Sequence, residues 1–535
     1  MARTKDETLR EVTRKYLAGI NPKNPPSPDT IQGEILDETR VQFELTNAIR
    51  PNGAKWRIPD RLVPAQIADI LKTLYPIVCI ACAGENADSS YDLLSVYQEQ
   101  GPNAGIYVSD DSIFHQMARQ YCYTITQRET EEVMHILRDN VPRVTRCTDV
   151  NLIAVNNGIF DYDTKTLLPF SPDYVFIAKS KVNYNPLAVN PVIHNPNDNT
   201  DWDVESWMNE LFDDPEVIQV IWEIIGAIIR PNVPWGKSAW FYSTTGNNGK
   251  GTLCELMRQI CGEGSYASIP LSDFGKDFML EPLTRATSII VDENDVGTYI
   301  DKAANLKAII TNDVIQMNRK FKTPIAFQFK GFMVQCLNEM PKIRDKSDSF
   351  YRRQLFIAFT KCFTGKERKY IKHDYLHRQD VLEYVLHKVL HMNYYTLSNP
   401  AACQKTLEEY KEYNDPVREF IEEVMTDCVW DLLPFNFLYD LYTAWYKKNF
   451  NRTDSLSKQG FTRDLLNALQ NNETWMCEDK QKSYRPTGKM DKPEPLIGEY
   501  DLKDWMNPRY ISSKDNDKRC IPVLKSYYKG IIRKS

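Results

Sequence analysis

Short apolar runs alternate with helix-like stretches between residues 238 and 362. The runs SAWFYS, SIIVDE, IAFQF, FMVQCLN and QLFIAF are rich in β-branched and aromatic residues, and helical spacing begins near residues 250 and 301. Strands that alternate with helices are typical of an α/β sheet. We therefore predict a central sheet with helices on both faces for residues 236–362.

A glycine-rich segment, TTGNNGKGT, joins the first of these strands to a helix. Glycines let backbone N–H groups face a phosphate, and the helix N-terminus adds its positive dipole end. We expect Lys250 to reach the β- and γ-phosphates of ATP. The usual pattern has Gly where Thr244 stands and Ser or Thr directly after the lysine. The predicted ATP-binding residues are Gly246, Asn247, Asn248, Gly249, Lys250, Gly251 and Thr252.

Two acidic residues end the run SIIVDE. The carboxyl ends of parallel strands meet at one edge of a sheet, so Asp292 and Glu293 should lie beside the phosphate loop. We predict that Asp292, together with Thr252, holds Mg²⁺ and that Glu293 orients and polarises the attacking water. The alternative is a strand end with two solvated acids.

Two further features suit a nucleotide hydrolase. Asn338 ends the run FMVQCLN and can hydrogen-bond the attacking water, although a strand-end Asn is often only a turn former. Arg352 and Arg353 precede the run QLFIAF. An arginine there can enter the site of a neighbouring subunit, which requires an oligomer; the alternative is a surface salt bridge.

The segment NRKFKTP lies between two short strand-like runs and predicts a hairpin with a basic tip. Lysine and arginine bind phosphates without reading sequence, and an aromatic ring can pack on a sugar or base. The alternative is a charged turn that faces solvent. The residues predicted to contact DNA are Arg319, Lys320, Phe321 and Lys322.

In order, GNNGKGT, SIIVDEN, LKAIITND…MNRKFK and FMVQCLNEMP…FYRRQLFIAF resemble the motifs of superfamily 3 helicases. The segment NNGIFDYDTKTLLPFSPDYVF is similar to the domain before the motor in the phage, plasmid and poxvirus primase–helicase branch. The resemblance covers roughly residues 100–400. It implies an AAA+ homo-hexamer that uses ATP and Mg²⁺ and pulls single-stranded DNA, usually 3′ to 5′. By its distance from Phe359, Arg353 fits the arginine finger better than Arg352.

The C-terminal segment begins with three helix-like runs, in the order PVREFIEEVMTD, PFNFLYDLYTAWYKKNF and SLSKQGFTRDLLNALQ. Strand-like pieces follow near WMCEDKQKSYRP and RYISSK. This order resembles a winged helix. Ser457 is the expected N-cap of the third helix. We predict that Lys458 and Arg463 face origin duplex DNA. A winged helix that binds protein is the alternative. Lys480, Lys482 and Arg485 would lie on the wing.

The domain prediction follows from these segments. It is an α/β AAA+ motor core, preceded by a helical domain and followed by a winged-helix domain. Apolar residues at about 64–100 recur at helical spacing, and about 100 residues are too few for a primase domain, so we predict no primer synthesis. The predicted ranges are 1–100 of unknown role, 101–235 helical pre-motor and oligomerisation domain, 236–362 motor core, 363–415 helical extension and 416–535 winged-helix-like domain with a basic tail.

The composition of the chain restricts the classes of protein to which it can belong, but it does not indicate a function. The net charge is −6, so binding to DNA requires positive charge to concentrate in a channel. The chain lacks an apolar run of about 20 residues and an apolar signal core, which predicts an intracellular protein without a membrane span. The resemblance to phage and plasmid helicases implies the cytoplasm of a bacterial host. Cys79 and Cys82 lack the second pair that a zinc ribbon needs, so we predict buried free thiols.

The leading hypothesis is an ATP-dependent DNA helicase that initiates replication of a phage or mobile genetic element. One alternative is a monomeric nucleotide or small-molecule kinase, because GKGT also occurs in nucleoside monophosphate kinases. The other is a non-enzymatic origin-binding adaptor with a degenerate nucleotide site. Intact Lys250, Asp292 and Glu293 argue against the adaptor.

Overall fold

The computed structural model describes residues 3–84, 89, 92–300, 302–320, 322–450, 455–470, 472–513 and 515–534. It divides into two compact units, Met1–Thr406 and Leu407–Ser535. The first is a mixed α/β unit that contains a parallel sheet, and the second combines helices with a small antiparallel sheet.

The first unit begins with helices that pack on a four-stranded sheet. Their shared core contains Ile35, Leu71, Val96, Phe114 and Val133. The sheet has the order β3-β2-β1-β4. The elements are α1 (Lys5–Leu17), α2 (Pro28–Ala48), α3 (Pro64–Leu74), β1 (Ile77–Ile80), β2 (Leu93–Tyr97), β3 (Tyr107–Val108), α4 (Asp111–Tyr121), α5 (Gln127–Asn140) and β4 (Arg143–Val144).

The prediction of helical spacing over residues 64–100 is wrong beyond α3. Residues 77–80 and 93–97 are paired antiparallel strands, and almost all of their side chains are buried. A short apolar run that is buried on both faces has no period that separates strand from helix. The β-branched residues in IVCI and LLSVY are the signal that favours strands.

Residues 150–230 form two small antiparallel sheets followed by two helices. The prediction of short strands around NNGIFDYDTKTLLPF is confirmed by the three-stranded sheet β5-β6-β7. Strands also occur within the predicted helical domain, which is therefore mixed rather than purely helical. The elements are β5 (Leu152–Val155), β6 (Gly158–Asp161), β7 (Thr166–Leu168), β8 (Ile193–Asn195), β9 (Thr200–Trp202), α6 (Val204–Leu211) and α7 (Pro215–Ile228).

The predicted α/β region contains a five-stranded parallel sheet in the order β11-β12-β16-β10-β18. Strands β12, β16 and β10 are therefore neighbours, and their carboxyl ends meet at one edge. The elements are β10 (Ser238–Tyr242), α8 (Lys250–Cys261), β11 (Tyr266–Ala267), β12 (Ser288–Val291), β13 (Tyr299–Ile300), α9 (Ala304–Ile310), β14 (Val314–Arg319), β15 (Lys322–Gln328), β16 (Phe332–Leu337), β17 (Lys342–Ile343), α10 (Asp348–Tyr351) and β18 (Gln354–Ala358).

Helices follow the parallel sheet within residues 363–415, where the sequence predicts a helical extension. Buried side chains of α12 join the same core as α7, α8 and the sheet. The helices are α11 (Lys369–His373), α12 (Gln379–His391) and α13 (Ala401–Asn414).

The second unit has its own core, which includes Phe420, Trp430, Leu441 and Phe461. The strand predicted at RYISSK is wrong, because the described residues there form turns and the strand lies further on, at β22. Tyr510 and Ile511 of the predicted run stay exposed, whereas Ile531 of YKGIIR is buried in the core. The elements are α14 (Pro416–Glu423), β19 (Leu432–Pro434), α15 (Phe435–Phe450), α16 (Lys458–Ala468), β20 (Trp475–Met476), β21 (Ser483–Tyr484), α17 (Pro495–Glu499), α18 (Asn516–Arg519) and β22 (Tyr528–Arg533).

The buried cysteines agree with one compositional prediction. Cys79 and Cys82 are both buried thiols, as expected. Among the described residues, no helix combines the length and the apolar character that crossing a bilayer demands.

Candidate nucleotide-binding site

The glycine-rich segment is a tight loop between β10 and α8. Gly249 has φ +91°, a left-handed conformation that glycine adopts without strain. A Cβ there would lie 2.6 Å from Cδ2 of Leu211. Asn248 is buried and ties the loop from inside: its side-chain amide donates to the Thr245 carbonyl, and its Oδ1 accepts from the Lys250 backbone N–H at 3.2 Å. The loop geometry therefore fits a phosphate cradle at a helix N-terminus.

The Lys250 side chain joins the loop to the end of β16. Its Nζ donates to the carbonyl oxygens of Ser243 at 3.3 Å and Leu337 at 3.1 Å, and to Oδ1 of Asn338 at 3.0 Å. Burial lowers the pKa of Lys250, and nearby Cys336 and Asp292 oppose that shift. Lys250 and Asn338, which are far apart in sequence, therefore meet where the nucleotide prediction needs them.

Asp292 and Glu293 follow β12 at the same edge of the sheet. Val291 pairs with Gln335 in the neighbouring β16, so Asp292 lies beside the end of that strand. Two cationic groups approach its carboxylate: Nη1 of Arg258 at 3.8 Å and Nζ of Lys372 at 4.0 Å. Glu293 is exposed.

The presence of glycine at position 251 has a steric explanation that the motif alone does not reveal. A Cβ at this position would lie 2.9 Å from Oδ1 and 3.1 Å from Oδ2 of Asp292. Glycine therefore lets the carboxylate lie against the first turn of α8, which also contains Thr252. A carboxylate and a hydroxyl are oxygen ligands of the kind that Mg²⁺ prefers, so these residues fit the predicted metal.

Asn294 is a positioning residue that was not predicted from the sequence. It is buried, its Oδ1 accepts from the Leu271 N–H at 2.8 Å, and its Nδ2 donates to Oε1 of Gln335 at 2.9 Å and to the Cys336 carbonyl at 3.0 Å. These bonds fix the end of β12 against β16. The available signal was a third polar residue directly after the acid pair.

A cavity of about 310 Å³ adjoins the phosphate loop. Trp207, Leu211, Phe363 and Ile371 give it apolar walls, and the Phe363 N–H donates to the Asn247 carbonyl at 2.7 Å. Mixed apolar and cationic walls suit a base and its phosphates. The basic residues that follow β18 are the sequence feature that could have indicated this cavity, but they were not among the predicted ATP-binding residues. The cationic lining residues are Lys366, Arg368, Lys369 and Lys372.

Arg352 and Arg353 lie at the opposite edge of the sheet. The Arg353 carbonyl accepts from the Ser238 N–H at 2.8 Å, at the start of β10, whereas the phosphate loop follows the end of β10. A five-residue strand spans about 16 Å. Arg352 is exposed, and the half-buried Arg353 donates from Nη1 to the Ser349 carbonyl. Both arginines thus lie away from the loop of their own chain.

The basic segment is the turn of a two-stranded hairpin, as predicted. Strands β14 and β15 are antiparallel, Ile315 and Met317 are buried, and the pairing ends at Arg319 opposite Lys322. Lys320 is exposed at the tip, and Asn318 donates to Oδ1 of Asp277 at 2.8 Å. Phe321 lies outside the described residues, and for Lys322 only the backbone is described.

In the second unit, Ser457 caps α16 as predicted, with its hydroxyl accepting from the Gly460 N–H at 3.3 Å. Lys458 and Arg463 line a cavity of about 1130 Å³. Lys480 joins them there, whereas Lys482 pairs with Glu478 and Arg485 donates to the Tyr527 hydroxyl. Two further cations in this lining, Lys525 and Lys529, were not predicted from the sequence.

Three family models match separate parts of the chain. A model described as D5 N terminal like matches residues 110–213, and a model described as poxvirus D5 protein-like matches residues 412–507. A family of unknown function, DUF5906, matches residues 241–353, which contain the phosphate loop, the acids and Asn338. No curated protein matches the chain.

Solved structures that resemble the chain include apo forms of the NrS-1 C-terminal region. One is 14% identical, covers 88% of this chain and 100% of its own, and has a TM-score of 0.42. A second is 13% identical, covers 80% of this chain and 98% of its own, and has a TM-score of 0.40. JCV helicase bound to a small molecule is 16% identical, covers 44% of this chain and 62% of its own, and has a TM-score of 0.26.

Proposed function

The chain belongs to the primase–helicase family of superfamily 3 helicases, and from this premise we propose that it is an ATP-dependent DNA helicase. In this proposal it moves along single-stranded DNA as a homo-hexamer. It initiates replication of a phage or mobile genetic element in the cytoplasm of a bacterial host.

One observation carries the proposal. The strand order puts β16 between β12 and β10, so Lys250, Asp292 and Asn338 come together at one edge, with Lys250 Nζ 3.0 Å from Asn338 Oδ1. This is the set of groups that phosphoryl transfer to water requires: a phosphate-binding cation, an acid beside it and a polar group to orient water. The same order supports an AAA+ core over residues 236–362, preceded by the pre-motor domain.

Each residue at this edge has a role in the proposed hydrolysis. The loop N–H groups and Lys250 bind the phosphates, and the cavity beside Phe363 takes the base. Asp292 and Thr252 would hold Mg²⁺, which neutralises phosphate charge when bound. Glu293 orients and polarises the attacking water, and Asn338 hydrogen-bonds it. All of these groups act by position and charge.

An arginine finger would add one more cation against the charge that develops in the transition state. Arg352 and Arg353 lie at the far edge of their own sheet, about one strand length from their own loop. We propose that one of them reaches the nucleotide of a neighbouring subunit. Exposure favours Arg352, and spacing in the sequence favours Arg353.

The DNA contacts are assigned to two basic features. The hairpin tip, with Arg319, Lys320, Phe321 and Lys322, grips the sugar–phosphate backbone of a single strand. In the second unit, α16 is the recognition helix of a winged-helix domain over residues 416–535. Its Lys458 and Arg463 contact the origin duplex.

The direct test of the activity is hydrolysis of ATP with and without single-stranded DNA, together with strand separation on a forked duplex. The wild-type chain should show both activities, and Lys250→Ala should lose both because the phosphates lose their cation. Lys15→Ala, which removes an exposed lysine of α1, is the matched control and should keep both. Transfer of phosphate from ATP to a nucleotide without DNA would instead support the kinase.

A further inference from the structure

Two buried thiols touch each other beside the candidate nucleotide site. Cys254 is 0% exposed and Cys336 is 1% exposed, and their Sγ atoms are 3.3 Å apart. Cys254 lies one turn after Lys250 on α8, and Cys336 lies two residues before Asn338. The proposed hydrolysis uses neither thiol.

Asp292 completes a group of three ligand atoms. An oxygen of its carboxylate and the two sulfur atoms all lie within 4.8 Å of one another. A tetrahedral zinc ion with Zn–S bonds of about 2.3 Å separates two sulfurs by about 3.8 Å. The thiols therefore need to part by only about half an ångström to share one ion.

The surrounding charge suits such an ion. Two thiolates and one carboxylate carry one more negative charge than a divalent cation neutralises. Arg258 and Lys372 lie 3.8 and 4.0 Å from the Asp292 carboxylate. Arg258 also lies 3.7 Å from Glu255, so these three side chains carry one net positive charge, which offsets that excess. The Asp292 side chain is 30% exposed, and Gly251, which lies against it, lines the nucleotide cavity. An ion can therefore enter from the nucleotide side.

We propose that Cys254, Cys336 and Asp292 form a site for a soft divalent cation, with Zn²⁺ as the natural ligand type. Thiolates select such ions over Mg²⁺, which prefers oxygen. Each thiol releases its proton as its sulfur–metal bond forms, so binding one ion releases two protons, and water fills the fourth position. The ion inhibits ATP hydrolysis because it holds the carboxylate that Mg²⁺ needs; this consequence rests on the proposed function.

The binding test uses Cd²⁺ as a probe on the full chain, without nucleotide and with a phosphine reductant. Cadmium–thiolate bonds absorb in the ultraviolet, so titration gives the number of ions and their affinity. We expect one ion bound by two thiolates. Cys254→Ala, Cys336→Ala and Asp292→Asn should each weaken binding at least about tenfold. Asp292→Asn removes a ligand that is partly exposed, so it keeps the test valid if a buried cysteine variant fails to fold.

Cys261→Ala is the matched control. Cys261 is also buried on α8, but its Sγ contacts Oγ of Ser288 at 3.4 Å. Its substitution should leave the cadmium signal unchanged. The site is refuted if Asp292→Asn and the foldable cysteine variants bind Cd²⁺ like the wild type, or if Cys261→Ala loses the signal equally.

The functional arm adds Zn²⁺ to the ATP hydrolysis assay at saturating Mg²⁺. Wild-type hydrolysis should fall and recover with a zinc-selective chelator, whereas Cys336→Ala should resist inhibition. Equal inhibition of both proteins would overturn the inhibitory role. A protein that binds Cd²⁺ at the site but never hydrolyses ATP would overturn the proposed function and leave the metal site standing.

Discussion

Gly251 shows how one residue can depart from a motif for a steric reason. In the usual phosphate loop a hydroxyl residue follows the lysine. Here the Asp292 carboxylate occupies the space in which a Cβ would stand, at 2.9 Å. The hydroxyl of Thr252, one residue later, is then the oxygen that remains for the predicted metal.

Restoring the usual motif should therefore harm the site. Gly251→Ser forces Asp292 to move, and displacement of a catalytic group by about 1 Å costs on the order of a hundredfold in rate. We expect steady-state ATP hydrolysis to fall at least about tenfold. Thr252→Ser, which keeps the hydroxyl, is the control and should stay near wild type. Normal hydrolysis by Gly251→Ser would contradict the role given to the Gly251–Asp292 contact.

The order of the motifs predicted which residues belong to the candidate site, but it did not predict all of the contacts between them. The structure brings Lys250 to Asn338 as the order of strands implied. Arg258 and Lys372, which approach Asp292, could not be predicted, because nothing in the sequence fixes how α8 and the segment after β18 meet the end of β12. Asn294 was missed because a polar residue at a strand end is usually a turn former.

The hairpin β14–β15 was predictable as an element. It has alternating buried and exposed residues, with Ile315 and Met317 facing inward, and this period of two specifies a strand with one buried face. The run 77–80 was mispredicted because all of its side chains are buried. Periodicity therefore predicts elements with one exposed face better than fully buried ones.

Substitution at the hairpin tip tests its assignment. Lys320→Ala removes an exposed cation from the segment proposed to grip DNA, so strand separation should fall at least about tenfold. ATP binding, measured with a fluorescent analogue, checks the fold. Gln316→Ala, at an exposed position further down β14, is the matched control. Unwinding at the wild-type rate by Lys320→Ala would remove the hairpin from the DNA path.

One surface of the second unit carries a charge opposite in sign to the net charge of the chain. Lys458, Arg463, Lys480, Lys525 and Lys529 line its cavity, and the acids in the same lining are Asp440 and Asp504. The excess is positive, whereas the chain carries −6. Concentration of cations beside one helix favours a nucleic-acid partner for this surface.

The salt dependence of duplex binding tests that surface. Removing one cation that binds a phosphate makes the slope of log K against log salt shallower by about 0.9, so Lys458→Ala/Arg463→Ala should reduce the slope by about two. Fluorescence anisotropy with a labelled duplex measures the slope. Lys503→Ala removes an exposed lysine that does not line the cavity and should leave the slope unchanged. An unchanged slope in the double variant would favour a protein-binding winged helix.

Across the whole molecule, we propose that each nucleotide is held by two chains. Lys250 lies at one edge of the parallel sheet and the arginines at the other. A closed ring of identical chains would bring these opposite edges together at every interface. The arginine motif in the sequence predicted this need for an oligomer.

Mixing two inactive variants tests whether the site is shared between chains. Lys250→Ala and Arg353→Ala, with Arg352→Ala in a parallel run, should each hydrolyse ATP poorly, because an arginine finger is worth about 10³-fold or more in kcat. In a mixture, some interfaces pair an intact lysine with an intact arginine from the next chain, and native mass spectrometry confirms that mixed hexamers form. We predict that DNA-stimulated ATP hydrolysis in one mixture exceeds the sum of its separate components. Mixed hexamers that hydrolyse no more ATP than that sum would contradict the claim.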